Sequence, residues 1–358
     1  MAKGSNGSLR AVGTLSYFVE ESTMDMWGIQ VVEIGQFQFS RLAVRLPQPG
    51  EVLIRVAVTG LCRTDLKLIR VGHRDLVLPR VPGEEVVGEI VEKGANVSGL
   101  EFGDLVYVYP GLWCGNCPAC RSGAENLCRD MRIMGFHRDG GFAEYVTVPA
   151  QSVIPVPDGL SAEKAVFAEP LSCCLNALEL AGLKPGMAVG IWGAGPAGTL
   201  LARAARAKGA DPLNIDPDPG RSGLAGGCER CPDRCFDVCV IAVGAKQAYA
   251  EAVSCLLPRG RMVVFSGLPP SDDRLDLSLN QLHYLEQSVV GAYGCAYRHG
   301  VAALALIAKE AVQVTDMISH RMHLDQLDEA LRLVEQRQSM KILLYPERRG
   351  TACGPTHP

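Results

Sequence analysis

The stretch KPGMAVGIWGAGPAGTLLARAARAKGA, Lys184 to Ala210, decides the fold. It reads as a turn, a short apolar strand, a glycine turn and a helix rich in alanine and leucine. Gly193, Gly195 and Gly198 set out the pattern GxGxxG, and Pro196 opens the helix. The first glycine permits a tight turn, the second lets a pyrophosphate approach the backbone, and the third lets helix and strand pack closely. The start of the helix then offers free N–H groups and partial positive charge to phosphates. A glycine turn with no ligand is the bland alternative, and the strand–turn–helix context argues against it. Asp216, in LNIDPDPGR, stands where a carboxylate would hold the adenosine ribose hydroxyls. That placement favours NAD over NADP, and Arg221 close by tempers the preference.

Outward from the turn the alternation continues through FDVCVIAVG, KQAYAEAVSCLLPRG and RMVVFSGL, the rhythm of a doubly wound parallel sheet. Only residues 217–235 separate Asp216 from FDVCVIAVG. That leaves little room for a helix, a third strand and another crossover. The third strand of the order 3-2-1-4-5-6 lies at an edge. Without it strand 2 becomes the edge, where Pro212 is tolerated. We therefore expect an α/β protein whose parallel sheet lacks or shortens its third strand, with a looser adenine pocket.

Upstream, from Met26 to about Pro157, β-branched runs such as EVLIRVAVTG and DLVYVYP alternate with Gly, Pro and Asp clusters, a β-rich pattern. Ser161 to Leu183 reads as helical. Downstream, HLDQLDEALRLVEQRQSMKILLYP reads as an amphipathic helix followed by a strand. The division expected is an extension over 1–25, a β-rich domain over 26–180, a nucleotide-binding domain over 181–310, and a return to the first domain with a tail over 311–358.

Bulk composition narrows the function classes. A chain of 358 residues with 47% hydrophobic and 21% charged residues suits two packed domains. The net charge of −4, with no basic run, argues against a nucleic-acid partner. No stretch approaches the roughly 20 apolar residues that cross a bilayer, and the N-terminus lacks a signal-peptide core. A cytoplasmic protein without a membrane partner is expected. In a reducing compartment the 14 cysteines read as metal ligands or buried small hydrophobes.

Their clustering separates the two. Cys114, Cys117, Cys120 and Cys128, in WCGNCPACRSGAENLC, can close a tetrahedral shell around zinc with no position left for water, a structural site. Cys228, Cys231, Cys235 and Cys239 fall in and after the shortened segment. A metal clip there is one reading, ordinary free thiols the better supported one, because Cys239 sits inside an apolar strand. Cys173, Cys174, Cys255 and Cys295 read as core or helix-face residues. His320 and His323 have a spacing that could suit a metal, and a structural role is the stronger reading.

GLCRTD, PGEEVVGEIVEKGANVSGLEFGDLV, the four-cysteine loop, GGFAEYVTVP, AEPLSCCLNAL and GAGPAG, in this order, resemble the zinc-containing medium-chain dehydrogenases. The likeness is to the branch holding sorbitol and threonine dehydrogenases, and it runs from about Trp27 to Pro346. It implies a GroES-like catalytic domain wrapped around a Rossmann domain, with the active site in the cleft between them and a homodimer or homotetramer as the assembly. It implies an NAD-dependent, zinc-type oxidoreductase acting on a small-molecule secondary alcohol, a polyol or cyclitol, and its ketone. By the same resemblance the catalytic zinc falls to Cys62, Glu84 and Glu169, with Glu85 beside them as an occasional ligand. Thr64 matches the hydroxyl that relays the proton, and Arg63 could reach the cofactor pyrophosphate. Lys67 stands where many members carry a histidine, and Lys341 matches a basic residue serving packing or charge balance.

Glu84 is the departure, since the family carries histidine there. With Cys62, Glu84 and Glu169 the shell around a divalent zinc is formally −1 rather than neutral. A more negative shell weakens Lewis acidity and hardens the site towards oxygen-preferring metals. Two other readings stay open on the sequence: a metal-free reductase, and a non-catalytic nucleotide-binding descendant of the same fold.

Overall fold

The computed structural model describes residues 24–346. The expected extension, apart from its last two residues, and the tail beyond 346 lie outside the described residues. A hairpin of β1 (Asp25–Glu33) and β2 (Gln36–Ala43) leads into β3 (Glu51–Leu61) and directly into helix α1 (Arg63–Val71). Then come β4 (Glu85–Lys93), β5 (Leu105–Val108), β6 (Gly111–Leu112), helix α2 (Pro118–Arg121), β7 (Arg132–Ile133), β8 (Tyr145–Pro149) and β9 (Val153–Pro155). Seven strands join in one sheet, in the order β15-β16-β3-β4-β5-β9 with β8 also on β3; β15 (Ile318–His323) and β16 (Lys341–Tyr345) arrive from the far end of the chain. In β3, Ile54, Val56 and Val58 are buried while Arg55 and Ala57 face out, the period-2 pattern of a strand.

The segment over 161–183 is helical as expected but is broken in two, α3 (Ala162–Ala165) and α4 (Ala168–Leu180). The second half of the chain alternates: β10 (Ala188–Trp192), α5 (Pro196–Ala207), β11 (Asp211–Ile215), α6 (Pro219–Ala225), β12 (Phe236–Ile241), α7 (Lys246–Ser254), β13 (Leu256–Val264), α8 (Leu279–Tyr284) and β14 (Ser288–Gly291). Its strands are parallel, in the order β11-β10-β12-β13-β14. That is the order 3-2-1-4-5-6 with its first member gone. In its place a single bridge pairs Ile215 with Cys228. Pro212 lies in β11 beside this remnant, where a missing N–H costs no ladder bond of a full strand.

Helix α9 (Tyr297–Ala308) packs on α4, and one buried cluster running through Leu171, Leu178, Leu201, Val240, Ala303 and Leu343 joins the two halves. Helix α10 (Leu327–Glu335) then delivers β16 to the seven-stranded sheet. Among the described residues no helix is long and apolar enough to cross a membrane.

The glycine turn does what its spacing requires. Gly193 has φ +111°, open to glycine at little cost. A Cβ on Gly198 would stand 1.9 Å from the Gly193 carbonyl oxygen, so α5 can lie this close to β10 only without a side chain there. Gly198→Ala should push the helix off the strand, lowering stability by about 1–3 kcal/mol in urea unfolding and weakening NADH binding in a fluorescence titration.

Candidate active site and metal centre

The hairpin of β6 and β7 brackets the four-cysteine loop. The sulfurs of Cys114, Cys117, Cys120 and Cys128 all lie within 4.8 Å of one another. Backbone groups aim at them: the Cys114 and Asp130 N–H groups both donate to Cys128 Sγ at 3.4 Å. Cys117 is pulled down to about 6 by N–H donation from Cys120 and then Arg129. Donors aimed at sulfur favour the thiolate, and four thiolates at this spacing fit a closed tetrahedral zinc. The loop also braces what lies beyond it. Glu125 Oε1 accepts the Tyr297 N–H at 2.8 Å, and Asn126 donates to the Tyr293 carbonyl at 2.7 Å.

The second cluster is built from four segments. Cys62 precedes α1, and its N–H donates to the buried Asp65 carboxylate at 3.0 Å. Glu85 opens β4 with Glu84 just before it, and Glu169 sits in the first turn of α4, where the helix dipole favours negative charge. Lys341, first residue of β16, donates to both oxygens of Glu85 at 2.6 Å, with the two side chains 3% and 1% exposed. This pair crosses β3 at Gly60, where a Cβ would stand 1.9 Å from Glu85 Oε2.

Charge is not balanced in this cluster. Burial, then Glu169, Asp65 and Glu85, pushes the Glu84 carboxyl well above the usual range. Burial and then Glu85 raise Glu169 to about 8, and burial raises Asp65 to about 6. Burial, Asp65 and both glutamates push the Cys62 thiol up as well. Burial alone would lower Lys341, and the charges of Glu85 and then Cys62 hold it above its ordinary value. Lys341 is the one cation in this set and is engaged by Glu85, so the remaining acids need protons or a metal cation. Thiolate and carboxylates are a donor set that zinc accepts. Among the described residues, though, only the four loop cysteines bring three or more ligand atoms within 4.8 Å of one another. Cys62, Glu84 and Glu169 fit a metal in kind and charge and are not drawn to that spacing.

On the nucleotide side, Asp216 closes β11 next to the glycine turn. Its carboxylate accepts the Ala194 N–H at 2.8 Å and the Asp218 N–H at 3.0 Å. A guanidinium nitrogen of Arg221 lies 3.4 Å from where a Cβ on Gly195 would be, and another donates to the Arg337 carbonyl at 2.8 Å.

Comparison with known proteins fits this geometry. Residues 48–158 match the alcohol dehydrogenase GroES-like domain. D-altritol 5-dehydrogenase of Agrobacterium fabrum is 31% identical, over 84% of this chain and 94% of that protein. L-threonine 3-dehydrogenase of Pyrococcus abyssi is 31% identical, over 90% and 96%. Among solved structures, 2R,3R-butanediol dehydrogenase of Bacillus subtilis superposes with a TM-score of 0.83 at 25% identity, over 90% of this chain and all of that one. The chain belongs to the zinc-containing medium-chain alcohol dehydrogenase family. Its relatives fall in the polyol, sorbitol and threonine dehydrogenase branch.

For a member of this family, the structure sorts the residues expected from sequence. Arg63, Thr64 and Lys67 are exposed on the first turns of α1. The second cysteine cluster does not assemble. Cys239 is buried inside β12, Cys235 is exposed, Cys228 turns to the Arg230 carbonyl at 3.0 Å, and Cys231 faces Cys255 instead. His320 and His323 both lie in β15, where residues three apart leave on opposite faces. Sequence reasoning left Asp65 and Tyr293 without roles and read Cys295 as a core or helix-face residue. Asp65 was in view as the last residue of GLCRTD. Cys295 adds to the upward push on Glu84, and Glu84 in turn helps push the Tyr293 phenol up.

Lys341→Met should leave Glu85 as an unpaired buried carboxylate and cost about 3–5 kcal/mol in urea unfolding. Adding Glu85→Gln to that variant should recover a large part of the loss.

Proposed function

We propose that the chain interconverts a secondary alcohol of a small polyol or cyclitol and its ketone, with NAD(P) as hydride partner. The observation that carries this reading is the acid cluster of Cys62, Glu84 and Glu169, gathered around a single cation, Lys341, that is already paired with Glu85. We assign these three to the catalytic zinc and the four loop cysteines to a structural one. When bound, the zinc supplies Lewis acidity at the substrate oxygen and the nicotinamide supplies a hydride acceptor. The chain's own residues do the rest. Thr64 takes the proton leaving the alcohol, and Lys67, its i+3 neighbour on α1, passes it to solvent. Glu85, tied to Lys341, stays behind the ligands as fixed negative charge.

For the cofactor, the glycine turn and the start of α5 receive the pyrophosphate, with Arg63 reaching it from the catalytic side. Asp216 spends one lone pair of each oxygen on backbone N–H groups and keeps the others for ribose hydroxyls. Arg221 beside Gly195 offers a cation to a 2′-phosphate, so NADP is accepted as well as NAD. A protein of Sinorhizobium meliloti assigned as a zinc-binding dehydrogenase, 28% identical with a TM-score of 0.84, is solved with NADP. It covers 90% of this chain and matches over its whole length.

A second copy is the partner we assign, along β14. This strand ends the parallel sheet with Val289 38% exposed, and Leu279, Tyr284 and Tyr293 stand exposed around it. The free thiols of the described residues suit the cytoplasm.

Elemental analysis tests the metal assignment first. The expected result is two zinc ions per chain, one lost with Glu84→Ala and the other with Cys117→Ala. A single zinc untouched by Glu84→Ala would overturn the catalytic assignment. Alcohol-dependent NADH formation should fall at least about 100-fold in Glu169→Ala. Arg221→Ala should lower kcat/KM for NADP by about 10-fold relative to NAD, the worth of one charge-assisted contact.

A further inference from the structure

Two sulfurs outside both metal sets stand closer than any other pair of cysteines in the described nucleotide half. Cys231 Sγ and Cys255 Sγ are 3.0 Å apart. A covalent S–S bond is about 2.05 Å, so closing the gap needs a shift of only about 1 Å. No third ligand joins them: the four-cysteine loop is the only metal-type group among the described residues. A dithiol without further ligands has disulfide formation as its open chemistry. Both cysteines are half-buried, within reach of a small oxidant.

Their places in the fold give the pair a task. Cys231 lies in the run between α6 and β12, the piece of chain that stands in for the lost third strand and its crossover. Cys255 caps the end of α7, and its carbonyl accepts the Phe236 N–H at 2.8 Å as β12 begins. The replacement run has other anchors near its two ends: Cys228 at the start, and Arg234, whose guanidinium donates to Asp211 at 2.9 Å, just before β12. Cys228 exchanges backbone hydrogen bonds with β11, its N–H donating to the Asn214 carbonyl at 2.9 Å and its carbonyl accepting from the Asp216 N–H at 3.0 Å. Beyond Cys228 the run descends to β12 with Cys231 as its inward contact against Cys255.

We propose that Cys231 and Cys255 are a redox pair, oxidised by a hydroperoxide to a disulfide that fastens this run to the α7–β13 junction. The chemistry balances with hydrogen peroxide as oxidant. The Cys255 sulfur, as thiolate, attacks one peroxide oxygen; the O–O bond breaks, hydroxide leaves and picks up a proton to become water, and Cys255 carries a sulfenic acid. The Cys231 sulfur then attacks the sulfenic sulfur, the S–S bond forms, and a second water leaves with the Cys231 proton. Two electrons pass from the thiols to the peroxide. Burial and the facing sulfur push the Cys231 thiol up to about 12, so Cys231 keeps its proton until the second step. In a reducing compartment such a disulfide is transient, formed under peroxide and cleared by thiols.

The fastened run is the one that seats Asp216 against the glycine turn, so oxidation should stiffen the adenine side of the nucleotide site. The test uses the full-length, zinc-loaded protein. After hydrogen peroxide, peptide mapping without reductant should show one cross-link, Cys231 to Cys255, reversed by dithiothreitol. The Tm of the oxidised protein should rise by roughly 5 °C over the reduced one. Cys255→Ser should abolish both the cross-link and the shift, and Cys228→Ser should keep both. A zinc-release assay run alongside reports oxidation of the four-cysteine loop. Zinc release with no Cys231–Cys255 link would overturn the proposal. So would a link from Cys231 to Cys228 or Cys235.

Discussion

The catalytic half depends on a carboxylate and an ammonium that meet across a strand offering nothing between them. Lys341 on β16 and Glu85 on β4 flank β3, and adjacent strands are about 4.8 Å apart. Two side chains can close that span only over a residue with no side chain, and Gly60 is that residue. The partners are 256 positions apart in sequence, so the pair ties the returning end of the described chain to β4. A buried pair of this kind adds little net stability over apolar packing, but leaving either partner alone is expensive. The geometry of the acid cluster is thus conditional on the last strand being in place.

That conditionality marks the boundary of what could be read from sequence. The glycine turn, the four-cysteine loop and the β-to-α change of rhythm near Lys184 are local patterns, carried by residues within one turn or loop of each other. They gave the fold, the strand order and the gathering of the four cysteines. Glu85–Lys341 and Cys231–Cys255 join residues from separate elements, and no periodicity announces them. The interruption of the helix over 161–183 has a local cause. Pro170 lies in the first turn of α4 and has no N–H for the Val166 carbonyl, so the helix stops at Ala165 and restarts at Ala168, with Val166 and Phe167 buried at the break.

The lost third strand was legible because length alone excluded it, and its replacement was not. The run after α6 hugs β11 so tightly that a Cβ on Gly227 would lie 2.2 Å from the Asn214 carbonyl oxygen. One bridge at Cys228 is what remains of a strand. A covering crossover helix is replaced by Cys228 and Cys231 packed beside Phe236, Leu213 and Cys255. A cover this thin contributes little burial, which makes local opening cheaper there than in the core of β10 and β12.

The exchange of histidine for Glu84 sets a further carboxyl against Glu169 and, next, Asp65. That carboxylate is fixed by the Cys62 N–H and buried, so it cannot withdraw from a new negative neighbour. A neutral imidazole could have accommodated it by donating a hydrogen bond; a carboxylate has no proton to donate unless it is itself protonated. The cluster answers by holding protons: Glu84, Glu169 and Asp65 all keep them more firmly than exposed acids do. A divalent cation arriving must displace those protons, so its affinity rises with pH. Under the assignment proposed above, the substitution would keep the donor count of the site while linking metal uptake to proton release.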